Sequence, residues 1–240
     1  MSEDGIGEAY AERGFVRVAG ALDSNDIAML RREWSRLWNE TSSDHPSVQW
    51  RGHVEQGSIA DRLDPAFPLS NELYALCRDP RLVELAETAL GRPATFFKDK
   101  LITKSRGTHG YGLHQDWPYW KRFGAPPDDM VTLQIAIDPS DSVNGALEVW
   151  PKALGVLPVA PDDPLDVDPA ALGDTPGTVI TMNAGDVLLL HPLVPHRSGT
   201  NRSDAPRRSY FITYVSAEYE GAARLRETEL KAAGGTPTSY

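Results

Sequence analysis

Apolar residues recur three or four positions apart at Ile27, Leu30, Trp34 and Leu37, and this spacing predicts an amphipathic helix over about 24–40. Asp23-Ser24-Asn25-Asp26 offers N-cap side chains just ahead of it. A second helix is expected from about Asp79 to Leu90, opened by Pro80 and stopped by Gly91 ahead of Arg92-Pro93. From Ala94 the pattern changes to alternating and β-branched runs. Thr95–Lys104, Met130–Ile137, Ala146–Trp150, Thr178–Met182, Asp186–Leu190 and Arg208–Val215 each read as a strand. Asn144-Gly145 is a strong hairpin signal, and Asn183-Ala184-Gly185 marks another turn. Many short strands with regular turns imply a sandwich or jelly roll. The stretch from about Val156 to Gly177, rich in Pro and Asp, reads as a long loop or lid, and the tail around Gly234-Gly235-Thr236-Pro237 as frayed.

The chain has 240 residues, enough for one domain with a substantial core. The expected organisation is a single domain over 1–240, with a helical part to about 92, a jelly-roll core over about 93–218 and a C-terminal tail over about 219–240. A net charge of −10 and no basic face argue against nucleic acid as a partner. No run approaches the roughly 18 apolar residues of a membrane span. The acidic start Met1-Ser2-Glu3-Asp4 lacks a signal-peptide pattern, so a cytoplasmic location and no membrane partner are expected. The single Cys77 forbids an internal disulfide and reads as a small core residue.

The chemistry lies in two clusters. In His114-Gln115-Asp116, residues i and i+2 of a strand share a side, so His114 and Asp116 can bind one ion while Gln115 points elsewhere. A third ligand must come from a distant strand, and His191 and His196 both follow the 186–190 strand. Arg207 decides between them. It opens the next strand after Pro206 and is expected to pair with the His196 strand, which leaves His191 structural or supporting. Two His and one carboxylate leave three coordination positions open, which suits non-haem Fe(II) oxygen chemistry. A guanidinium nearby suits the far carboxylate of a keto acid.

At these residues the chain resembles the phytanoyl-CoA dioxygenase family of Fe(II)/2-oxoglutarate oxygenases. The matching segments are His114-Gln115-Asp116-Trp117, Asn144-Gly145-Ala146-Leu147, Gly185-Asp186-Val187-Leu188, His196 through Arg207, and Gly14-Phe15-Val16-Arg17-Val18, which is like the family's opening strand. The resemblance implies a double-stranded β-helix (a cupin-like jelly roll) with helices packed outside. It implies Fe(II) on His114, Asp116 and His196, with 2-oxoglutarate held by Arg207 and Ser198. It also points to Lys100 and Gln134 as co-substrate positions. Halogenating relatives lack the carboxylate, so Asp116 favours hydroxylation. The chain departs from the family at Trp150-Pro151-Lys152-Ala153-Leu154, where a Pro-Gly-Ser-His sequence is usual.

Alternation places Lys98, Lys100, Ile102 and Lys104 on one face, either lining the barrel or exposed on an edge strand. Gln134, an amide in an apolar strand, needs a buried partner. Trp117, Tyr119 and Trp120 either wall a substrate pocket or pack in the core, and His109 and Tyr111 sit in a Gly-rich loop entering the site. Of these, Trp117, Trp120 and His109 are taken as substrate residues. His45 and His53 are expected at the surface, with His53 and Arg51 alternatively reaching over the barrel mouth. The expected activity is hydroxylation of a C–H bond in a small metabolite, with O2 consumed and succinate and CO2 released, by a monomer or homodimer. The competing readings are a cupin-like metal-dependent isomerase or oxidase without a keto acid, and a non-catalytic ligand-binding jelly roll.

Overall fold

The computed structural model describes residues 3–153, 155–160 and 163–232. In chain order the elements are α1 (Glu3–Arg13), β1 (Phe15–Val18), α2 (Ser24–Glu40), β2 (Val48–His53), β3 (Gly57–Leu63), α3 (Asn71–Leu76), α4 (Pro80–Leu90), β4 (Ala94–Lys104), β5 (Tyr111–His114), α5 (Trp117–Trp120), β6 (Met130–Ala136), β7 (Leu147–Val149), β8 (Val159–Ala160), β9 (Asp163–Val167), β10 (Thr178–Val179), β11 (Val187–Leu190), β12 (His196–Ser198), β13 (Arg207–Ser216) and α6 (Glu220–Ala232). Seven strands form one sheet in the order β1–β11–β6–β13–β4–β3–β2, and four form the facing sheet, β10–β7–β12–β5. This is the expected jelly roll with outer helices.

The two predicted helices form where the periodicity places them. Asp23 accepts from the backbone N–H groups of Asn25 and Asp26, and Asp26 reaches back to the Asp23 N–H, completing a capping box for α2. Asp79 caps α4, and Gly91 ends it in the left-handed region. The apolar stripes of these helices cover the outer face of the large sheet, against Leu133, Ile135, Val187, Leu189, Tyr210 and Ile212. Each such side chain, fully buried, contributes roughly 1.5–3 kcal/mol. Cys77 is a core residue, as expected, with Sγ 3.1 Å from the Tyr210 hydroxyl.

Because strand residues alternate, the partners of that apolar set face the barrel interior. Register aligns them in rows across the sheet: Leu188, Gln134, Phe211 and Lys100 form one, and Ala136, Ser209, Ile102 and Arg62 the next. The row at the end of β4 joins Lys104 to Arg207. Lys98, Lys100 and Lys104 therefore line the barrel, and the edge-strand reading fails because β4 lies between β13 and β3.

Four expectations need correction. Asn144-Gly145 closes no hairpin: β6 belongs to the large sheet and β7 to the small one, so the turn carries the chain between sheets, with Gly145 at φ 77°. The N-terminal part is not helical alone, since β1 and the β2–β3 hairpin extend the large sheet. Residues 220–232 form α6, whose Ala223 packs with Phe97, Trp120 and Val215. The segment 156–177 is long but carries β8 and β9, pinned where Val167 packs on Leu113 and Trp150. The departing Trp150 thus anchors this segment. The Gly234–Pro237 stretch read as frayed lies outside the described residues.

Candidate active site

β5 and β12 are neighbours in the small sheet, and their register places His196 directly opposite His114. Their ring centroids are 4.1 Å apart. The strand ends at His114, so the i, i+2 argument does not strictly apply. Instead the chain turns into α5 at Trp117-Pro118, and this turn brings the Asp116 carboxylate to 4.0 Å from His114 Nε2. Ligand atoms of His114, Asp116 and His196 lie within 4.8 Å of one another. His114 Nδ1 donates to the Gly112 carbonyl (2.8 Å) and His196 Nδ1 to the Val194 carbonyl (3.0 Å). These bonds fix the tautomer and leave both Nε2 lone pairs for a metal.

The electrostatics fit. Burial, with His196 alongside, pushes the His114 imidazole down to about 3, and burial lowers His196 as well, so both rings are neutral. Burial works against the Asp116 carboxylate, but the neighbouring positive charge, that of Lys100 foremost, holds it below the usual range. Two neutral imidazoles and one carboxylate are the protonation states a divalent metal requires.

His191 is not part of this cluster. Its Nε2 pairs with Asp128 at 3.0 Å, and its Nδ1 accepts from the Leu193 N–H. Gln115 points away from the metal ligands, as expected, although the turn after β5 and not strand alternation directs it. It donates to the Leu193 and Gly155 carbonyls and accepts from the Leu157 N–H, bracing the start of the 156–177 segment.

Arg207 lies on the interior face of the opposite sheet. Its strand pairs with β4 and β6, not with the His196 strand, so the expected pairing is wrong. The cation reaches the site across the sandwich. Arg207 is 2% exposed, and its Nε and Nη1 have no hydrogen-bond partner among the described residues. A buried guanidinium in that state fits an anionic ligand. Lys104 stands beside it and donates to the Ser198 hydroxyl and the Gly199 carbonyl, both at 2.7 Å. Ser198 Oγ also accepts from the Tyr111 N–H. Burial, and next the Arg207 charge, push the Lys104 ammonium down to about 6. Gln134 is buried, donates to Ser209 Oγ at 3.3 Å and leaves its Oε1 without a hydrogen bond among the described residues.

A cavity of about 250 Å³ opens beside the triad, lined by His114, Asp116, Trp120, Lys100 and Arg51 among others. Two of the expected substrate residues do not line it. Trp117 packs with Trp120, Phe123 and Ala125 and donates to the Ala125 carbonyl. His109 is exposed and sits against Gly52 of the β2–β3 hairpin. His53 is buried rather than at the surface. Its ring bonds the Arg106 carbonyl and the Glu55 and Gln56 N–H groups, tying hairpin to loop. Arg51 does reach the mouth. Sequence reasoning also missed Arg62, Asp64 and Asp166 in the lining. The β pattern of Ser58–Leu63 was the available signal for Arg62.

Facial triads with open positions serve iron-dependent oxygen chemistry, and a keto acid completes such a site when an orphan cation awaits its far end. Fold and site together define the class of non-haem iron/2-oxoglutarate oxygenases. The profile of the family described as phytanoyl-CoA dioxygenase (PhyH) matches residues 10–209, and the chain belongs to that family. It is 26% identical over 224 residues to the methylphosphonate hydroxylase of Gimesia maris, covering 90% of this chain and 82% of that protein. It is 27% identical over 229 residues to the 2-aminoethylphosphonate dioxygenase of uncultured bacterium HF130_AEPn_1, with the same coverage. The fold is also that of the epimerase SnoN, solved with Fe3+, alpha ketoglutarate and nogalamycin RO, at a TM-score of 0.74 and 24% identity over 90% of this chain and 84% of that one. The protein is accordingly an iron- and 2-oxoglutarate-dependent dioxygenase, and the keto-acid-free and non-catalytic readings are not favoured.

Proposed function

We propose that His114, Asp116 and His196 hold the iron, that Arg207 with Lys104 and Ser198 holds the far carboxylate of 2-oxoglutarate, and that the reaction hydroxylates a C–H bond of a small molecule. The observation that carries this reading is the pairing of a convergent, correctly protonated triad with a buried arginine whose Nε and Nη1 lack partners. Iron and 2-oxoglutarate, when bound, supply the oxidising power, with succinate and CO2 released. The protein supplies position and exclusion of water. Gly112 and Val194 hold the two imidazoles in the ligating tautomer. Arg207 and Lys104 orient the co-substrate from the opposite sheet, and the Gln134 amide lies one row from Ser209 on the same inner face. Trp120 and Tyr119 line the cavity on the α5 side.

The substrate is small. The cavity is below the roughly 300–1,000 Å³ usual for drug-sized ligands, and the relatives named for methylphosphonate and 2-aminoethylphosphonate act by name on compact molecules. Metal content and succinate formation test the reading. Wild type should retain about one iron per chain and convert 2-oxoglutarate to succinate in the presence of O2, while Asp116→Ala should do neither. Succinate formation by Asp116→Ala at the wild-type rate would overturn the ligand assignment.

A further inference from the structure

Tyr111 touches both ends of the interior. Its backbone N–H donates to Ser198 Oγ at 3.2 Å, and Ser198 in turn accepts from the Lys104 ammonium at 2.7 Å. Lys104 Nζ lies 5.6 Å from the Tyr111 ring centroid, and the Arg51 guanidinium lies 3.7 Å from the same centroid. The ring thus meets one cation of the co-substrate end and one of the cavity beside the triad.

Little in its own strand fixes that ring. β5 is four residues long, lies at the edge of the small sheet, and shifts register against β12 between His196 and Ser198. Glycines flank Tyr111 on both sides. A Cβ on Gly110 would run into the Ser198 carbonyl oxygen, and one on Gly112 into the Asp166 carboxylate, so neither position has room for a side chain that could brace the ring. The brace comes from the facing sheet. The Tyr111 hydroxyl donates to Asp61 Oδ2 at 2.7 Å, from β5 across to β3.

Asp61 is neither a member of the triad nor part of the cavity lining, and it is 1% exposed. Its Oδ2 also stands 3.7 Å from Arg51 Nε, and its Oδ1 has no hydrogen bond among the described residues. A carboxylate withdrawn this far from water costs stability unless its bonds offset the loss, and a hydroxyl-to-carboxylate bond is among the stronger ones. A phenol has one proton to donate. With that proton directed to Asp61, Tyr111 presents its ring and its backbone N–H to the co-substrate end, and not its hydroxyl.

We propose that Asp61 is a positioning residue for the co-substrate: through the Tyr111 hydroxyl it fixes the ring that forms one wall of the 2-oxoglutarate site beside Lys104 and Ser198. This rests on the oxygenase reading above. Asp61 acts as a hydrogen-bond acceptor and not through its charge. The alternative route is a real one, since burial and then the Arg207 and Arg51 charges lower the Lys104 ammonium, and Asp61 is the charge that opposes them.

Anaerobic calorimetry on the full chain loaded with Fe(II), titrated with 2-oxoglutarate, separates the two. Asp61→Ala and Tyr111→Phe should each raise the Kd about tenfold, with iron content unchanged. Asp61→Asn keeps an acceptor for the phenol and should stay within about threefold of wild type. The double variant Asp61→Ala/Tyr111→Phe should bind no more weakly than either single one, because both changes remove the same bond. Equal weakening in Asp61→Asn and Asp61→Ala would show that the charge is what matters and overturn the proposal. Additive losses in the double variant, or a Kd unchanged in either single variant, would overturn it as well. Loss of iron together with 2-oxoglutarate in these variants would mark a general structural role, with the same consequence. Should Asp61→Ala fail to fold, the contrast between Tyr111→Phe and Asp61→Asn gives the same decision. A wild-type chain that binds iron but no 2-oxoglutarate would instead overturn the oxygenase reading.

Discussion

Replacing Arg207 by Met should move stability and co-substrate affinity in opposite directions. In the folded protein the guanidinium is 2% exposed, with Nε and Nη1 lacking hydrogen bonds among the described residues and Lys104 as its register partner across the strand pair. Burial pushes its ionisation down to about 10, a sign that the charged form is poorly compensated. Exchanging such a charge for an apolar side chain of similar length is worth about 1–4 kcal/mol of stability. At about 2–4 °C per kcal/mol for a chain of this size, the ligand-free Tm should rise by several degrees. The same exchange removes a two-pronged, charge-assisted contact with the keto acid, and truncating such a pair costs about 2–5 kcal/mol. The Kd for 2-oxoglutarate should therefore rise roughly 30-fold to several-thousand-fold. Thermal unfolding with and without 2-oxoglutarate reads both effects in one experiment. The variant should start higher than wild type and gain little from the ligand. A variant that starts lower and keeps the full ligand-induced shift would show that Arg207 is a structural cation and that another group anchors the keto acid.

Other consequences follow from single groups. Lys104 sits beside Arg207 with its ammonium pushed down to about 6, and an incoming carboxylate raises it. 2-Oxoglutarate should thus bind more tightly as pH falls from 8 toward 6, and in Lys104→Met the slope of log Kd against pH over that range should be flat. Burial drives the Asp99 carboxyl up to about 7, where it accepts from the Tyr210 hydroxyl at 2.6 Å. The folded state holds this proton where the unfolded chain has lost it, so the group costs stability as pH rises from about 4 to about 7. Asp99→Asn should remove that decline in denaturant unfolding, and an unchanged pH profile would show that the carboxyl ionises normally. Gly185 has φ 91°, and an added Cβ would lie 2.4 Å from the Leu22 carbonyl oxygen. Gly185→Ala should cost about 1–3 kcal/mol or more, read as a Tm several degrees lower, and an unshifted Tm would contradict the strain.

Local signals in the chain proved reliable where one element decides the outcome. Ile27, Leu30 and Leu37 bury one stripe of α2, and Asp23 caps it. The i, i+2 alternation of Lys98, Lys100 and Lys104 located the inner face of β4, though not that the strand is internal to its sheet. His114, Asp116 and His196 were legible because their residue types and order follow a family pattern. What was not legible depends on which strands become neighbours. Asn144-Gly145 has hairpin chemistry, yet the chain crosses between sheets there, because a jelly roll pairs β7 with β10 and β12. Arg207 was assigned to the wrong neighbour for the same reason. The β2–β3 hairpin is rich in charge at Arg51, Asp61 and Arg62, but Arg51 and Arg62 line a cavity that exists only once β3 has paired with β4, and Asp61 is buried beside Arg51. His53 is buried where the surface was expected, because burial of a loop imidazole depends on carbonyls contributed from distant sequence, here that of Arg106.

The most direct test of the central claim is anaerobic visible absorption of the protein given Fe(II) and then 2-oxoglutarate. A chelated keto acid on iron produces a charge-transfer band. It should develop in wild type and in His191→Ala, whose ring pairs with Asp128 away from the triad, and should be absent from His196→Ala. A band that persists in His196→Ala, or that disappears in His191→Ala, would contradict the triad assigned here.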